Sequence, residues 1–245
     1  IAEYTGLGLA LILMSQELRR YPGQIAGQLL WSPAAYKQLL SINTNLFIRT
    51  MALMFTLAFV TVQGARYGEI ILAANAVLLN FQMFLSYALD GIAHAAEALS
   101  GKALGSSNRA ALRLVIKRTR DWSLALAILF TAIYAMGGEA IINLITNVPE
   151  VRLTAKAFLF WMIISPLISM WSFLYNGIFV GLTRSGEMLN VMLLSAAGVF
   201  LPVWYLSTSW GNDGLWLAFI SFMAARGIGM GLYAKRIVGS KTTVG

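Results

Sequence analysis

The chain has 245 residues, of which 58% are hydrophobic and only 11% charged. A soluble domain carries about 25% charged residues, whereas here the apolar residues come in blocks long enough to cross a bilayer, so the sequence reads as an integral membrane protein. The absence of cysteine excludes disulfides, CxxC metal sites and thiol catalysis, and the net charge of +8 reads as basic loops at the cytoplasmic face, not as a nucleic-acid surface.

In chain order, "IAEYTGLGLALILM" lacks the basic n-region of a signal peptide. Residues 1–18 therefore read as the end of a preceding transmembrane helix, and the chain as the C-terminal part of a longer protein. Residues 19–38 form a basic connection. Six apolar spans follow, at 39–62, 70–99, 122–145, 155–183, 187–208 and 214–237, and residues 238–245 form a tail. Turn signals separate the spans: Gly64 and Gly68, Gly105 to Asn108, Asn147-Val148-Pro149, Ser185-Gly186 and Gly211-Asn212-Asp213.

With 19–38 placed in the cytoplasm, thirteen Lys and Arg fall on that side and three (Arg66, Arg152, Lys156) on the other. This split puts the C-terminus in the cytoplasm. Trp210 and Trp216 then mark the outer interface, where aromatic rings collect. The basic stretch 106–120 reads as a partly helical connection at the membrane surface.

The span 70–99 would be about 45 Å long as one helix, longer than a hydrocarbon core of about 30 Å. Glu97 and Lys102 are thus expected at or beyond the cytoplasmic interface, with Asp90 deeper. Met83, Tyr87, Asp90, His94 and Glu97 fall on one helical stripe. Such a stripe has to face protein or a water-filled cavity. Arg49, on the preceding span, lies at a similar depth, within about 2 Å of Asp90 along the axis. Arg49 and Asp90 are expected to approach each other or to face one polar cavity, either as a functional pair or as an ion pair locking two helices. Asn45, one turn from Arg49, shares its face. His94 is a candidate proton relay or a packed, hydrogen-bonded residue, and Glu97 a candidate cytoplasmic gate.

Pro166 and Pro202 sit mid-span and are expected to kink their helices. Gly227 and Gly231 form a G-x-x-x-G suited to close helix packing. Arg226 is expected to snorkel or pair near the inner leaflet. Asn176 is an intramembrane amide, helix–helix glue or cavity lining. No Walker A, HExxH or GxSxG motif is present, so the chain reads as neither an ATPase nor an enzyme.

"NTNLFIRTMAL" followed by "GIAHAAEALSGKALG", together with "YNGIFVGLTRSGEM", resembles the C-terminal half of multidrug and toxic compound extrusion (MATE) transporters, DinF branch. The resemblance implies an all-α transmembrane fold: the six-helix C-terminal lobe of a twelve-helix transporter, preceded by the end of helix 6, with 19–38 as the lobe linker. It implies export of cationic or amphipathic compounds in exchange for H⁺ or Na⁺, with no cofactor. The implied partners are membrane lipids and an N-terminal six-helix lobe. The family's best-known proton-coupling acid lies in that other lobe, and related sequences often carry Asp at the position of Asn176. Arg49, Asp90 and His94 become the ion-coupling candidates, and Asn45, Met83, Tyr87 and Asn176 the cavity-lining ones. Two other readings stand: a lipid-linked precursor flippase of the same superfamily, and a non-transporting membrane scaffold.

Overall fold

The structure, a computed structural model, describes residues 2–20 and 32–239. The expected connection at 19–38 and the tail at 238–245 therefore lie partly outside the described residues. By backbone contacts the chain falls into two units, 1–41 and 42–245. The first contains α1 (Ala2–Arg20), whose apolar part is Tyr4–Gln16, and the opening turns of α2 (Pro33–Arg66).

The second unit is an antiparallel helical lobe: the rest of α2, then α3 (Glu69–Gly105), α4 (Arg109–Ile145), α5 (Pro149–Ala157), α6 (Leu159–Gly181), α7 (Ser185–Ser195), α8 (Leu201–Leu206) and α9 (Asn212–Gly239). Six segments are long and apolar enough to cross a membrane: Tyr36–Arg66, Glu69–Gly105, Arg109–Ile145, Leu159–Gly181, Ser185–Leu206 and Asn212–Ile237. The apolar windows of α6 and α9 are 50% and 56% buried and that of α2 only 11%, so α6 and α9 are central and α2 peripheral.

Two breaks follow from local chemistry. The turn between α2 and α3 passes through Gly68 at φ 110°, a backbone state open to glycine and costly for other residues. Asn108 caps α4 by accepting from the Ala111 N–H at 2.9 Å, so the basic stretch begins a continuous helix. The expected span 155–183 is divided at Phe158, between α5 and α6.

Pro166 is accommodated within α6. The span containing Pro202 instead carries a π-helical turn at Ala196–Phe200, between α7 and α8. Proline has no N–H to offer the carbonyl one turn back, and its ring crowds that carbonyl; widening the preceding turn relieves both.

The main core joins Val60, Phe81, Tyr134, Phe200, Trp216, Phe219 and Phe222. Trp216, expected at the outer interface, is fully buried, and its indole N–H donates to Asn75 Oδ1 at 3.0 Å. Burial satisfied by one hydrogen bond suits tryptophan as well as an interface does. Trp210, 64% exposed, is the one that stays outside. Asn75 and Asn212 exchange two further bonds, at 2.7 and 2.9 Å. Replacing Asn75 with alanine should lower stability by about 2–3 kcal/mol, because three bonds go and two donors stay buried. Reversible unfolding in mixed detergent measures this; a loss under about 0.5 kcal/mol would show the network to be dispensable.

Candidate functional site

A cavity of about 390 Å³ opens among α2, α3, α6 and α9. Each helix contributes one face. Helix α3 presents Gln82, Met83, Ser86 and Asp90; α9 presents Phe219, Met223 and Arg226; α6 presents Phe173 and Asn176; α2 presents Arg49 with Leu53 and Leu57. The spacings of three and four are those of one helix face. A larger groove of about 520 Å³ runs between α6 and α9 past Trp171, Gly227 and Lys235. It gathers no opposed charges, so the smaller cavity is the candidate site.

Three charged side chains meet there. Arg49 Nη2 donates to Asn176 Oδ1 at 2.5 Å, joining α2 to α6. Asp90 Oδ2 accepts from Ser86 Oγ at 3.2 Å. Arg226 is 5% exposed, with Nη1 3.3 Å from Met223 Sδ and its guanidinium 5.3 Å from the centre of the Phe222 ring. Among the described residues, no carboxylate lies within 4.0 Å of either arginine. Gln82 is held in place by Ser165, which donates to its Oε1 at 2.7 Å, and by Ser169, to which its Nε2 donates at 3.3 Å.

The protein-family model for MatE matches residues 46–206. The chain belongs to the MatE family. It is 38% identical over 240 residues to DNA damage-inducible protein F of Escherichia coli, a match covering 96% of the chain and 51% of that protein. The chain thus spans about half the length of the curated relative it matches. A MATE transporter of Vibrio cholerae, VcmN in a bent form, superposes with a TM-score of 0.81 at 18% identity, covering 96% of this chain and 53% of that one. An inward-facing multidrug resistance MATE family transporter gives 0.72 at 13% identity, covering 85% and 49%. At such identities these structures show the fold, which is that of half a MATE transporter.

Within this MatE lobe the sequence-derived candidates separate. Arg49, Asp90, Met83 and Asn176 line the cavity together, although Arg49 bonds Asn176 and not Asp90. Tyr87, His94 and Asn45 do not line it. Tyr87 and His94 lie about 60° and 40° round α3 from Asp90, on the side away from Ser86. Tyr87 is 67% exposed. The His94 side chain is 79% exposed, with Nδ1 3.6 Å from Glu97 Oε2. Asn45 Nδ2 donates to Ser185 Oγ at 3.1 Å, tying α2 to the start of α7. Arg226, expected to snorkel or pair near the inner leaflet, lies in the cavity wall beside the Phe222 ring and the Met223 sulfur. Gln82 and Ser86 were legible as the residues eight and four before Asp90 on one face; their plain polarity beside a charge concealed them.

Proposed function

We propose that the chain is the C-terminal lobe of a secondary active efflux antiporter, exporting amphipathic or cationic compounds in exchange for H⁺ or Na⁺ by alternating access. The observation that carries this reading is the cavity in which Asp90, Arg49 and Arg226 meet inside a MatE-family lobe. Ionisable groups are kept inside a bilayer where they serve a path for ions or substrate, and a lobe of this kind works by moving against its counterpart around such a site. Residues 1–18 would end a helix of that counterpart, 19–38 would link the lobes, 39–237 would form the lobe and 238–245 a cytoplasmic tail. The excess of Lys and Arg on one set of loops supports an inner-membrane protein with a cytoplasmic C-terminus.

Among the described residues Asp90 is the only acid that lines the cavity, and it is the candidate coupling group. Asp90→Asn keeps the shape and removes the ionisation. It should cut efflux of an amphipathic dye from cells by roughly tenfold or more, the scale of one lost charge interaction. Unchanged efflux at normal expression would remove Asp90 from the mechanism. A cysteine placed at position 90, in a chain with no native cysteine, should react with a water-soluble thiol reagent, as a sealed scaffold would not allow.

A further inference from the structure

We propose that this cavity seats an anionic head group carried on an apolar body. The charge inventory points that way. Arg49 comes from α2, Asp90 from α3 and Arg226 from α9, while α6 adds only Phe173 and Asn176. Among the described residues of this lobe two guanidiniums face one carboxylate, so the lobe's own charges disfavour a cationic ligand and favour an anionic one.

The hydrogen-bond inventory agrees. The two side-chain amide oxygens are already engaged: Gln82 Oε1 by Ser165 and Asn176 Oδ1 by Arg49. The donors are in surplus. A guanidinium carries five N–H donors, yet Arg226 spends one on a thioether sulfur and sets its face against a phenyl ring. A ligand that fills this cavity well is therefore a hydrogen-bond acceptor with negative charge. Carboxylate, sulfate and phosphate oxygens match the guanidinium fork. Leu53, Leu57, Phe173 and Phe219 line the remainder and would take an aliphatic or ring body. The volume of about 390 Å³ lies in the range of small-molecule sites, roughly 300–1,000 Å³.

The inference narrows the efflux reading to its amphipathic substrates, gives them a negative charge in place of a positive one, and rests on that reading only for the direction of transport. It is tested by binding, which fails or succeeds independently of dye efflux. The probe is dansylamino-undecanoate, compared with its methyl ester and with the trimethylammonium analogue of the same chain, on the protein in phosphatidylcholine nanodiscs. The unsubstituted protein should bind the carboxylate roughly tenfold more tightly than the ester, and the cation most weakly. Arg226→Gln and Arg49→Gln should each erase most of that preference, while a monodisperse peak on size exclusion reports that they are folded. Arg226→Lys should retain part of it. Equal binding of carboxylate and ester by the unsubstituted protein would overturn the proposal without recourse to any variant; so would an undiminished preference in both glutamine variants. Repeating the titration with phosphatidylglycerol in the disc identifies the source: competition assigns the seat to a lipid head group, and no competition assigns it to a soluble amphipathic anion.

Discussion

Replacing Gly177 with valine should abolish the folded lobe. A Cβ at Gly177 would overlap the carbonyl oxygen of Ala93, and one turn on, at Gly181, it would overlap Ser100 Oγ and the Glu97 carbonyl. Helices α6 and α3 therefore cross nearly backbone to backbone. The facing side of α3 is built from Ala93, Ala96 and Ser100, all buried, and Ser100 Oγ also donates to the Ile178 carbonyl at 3.3 Å. Small residues at such a crossing let dispersion and polar contacts hold helices that gain nothing from the hydrophobic effect in lipid. A backbone carbonyl cannot rotate aside as a side-chain tip can, so the helices would have to part. The expected cost is about 3 kcal/mol or more, read as loss of monodisperse protein after detergent extraction. Gly91→Ala is the matched control: nothing lies within 4 Å of the added carbon, and alanine is the better helix former by about 1 kcal/mol. If the Gly177 variant matched the control in yield and unfolding, the crossing would be looser than described.

Arg226→Met should move stability and transport in opposite directions. Arg226 is a buried cation with no carboxylate within 4.0 Å among the described residues. Taking an ion out of water costs several kcal/mol, which a thioether contact and a ring face offset only in part. Methionine has similar length and would lie among Met223, Phe222 and Phe219, so the exchange removes that cost without leaving a hole. Replacing buried ions by apolar residues of similar size is neutral to stabilising by about 1–4 kcal/mol. The lobe should therefore unfold at higher denaturant, while efflux falls. A variant that unfolds earlier and still transports would make Arg226 a structural residue and remove it from the site.

Much of the architecture was legible because hydrophobic length is a one-dimensional signal. The site was legible in part. Depth along a helix follows from counting residues, and it put Arg49 and Asp90 at one level. Direction around the axis depends on which neighbours pack where, and counting does not supply it. That is why Arg49 meets Asn176 on α6 instead of bonding Asp90 on α3, and why Tyr87 and His94 stand on the exposed flank of the same stripe. Trp216 illustrates the same limit, since an indole suits an interface and a satisfied core position alike. The crossing at Gly177 was readable: "GIFVG" is a G-x-x-x-G as plain as the one at Gly227.

The loose packing of α2 has a mechanical consequence. Its C-terminal end is gripped, with Thr56, Val60 and Gln63 buried and Gly64 against Asn75. From Ile42 to Phe55 no residue is buried, and that stretch is tied to the rest of the lobe by Asn45 to Ser185 and Arg49 to Asn176, one turn apart. A helix held in this way would pivot about its gripped end, with the arginine as the latch. A ligand acceptor that draws Arg49 away from Asn176 would loosen that hold in the act of binding, and would gear occupancy of the cavity to the position of α2 through a single side chain.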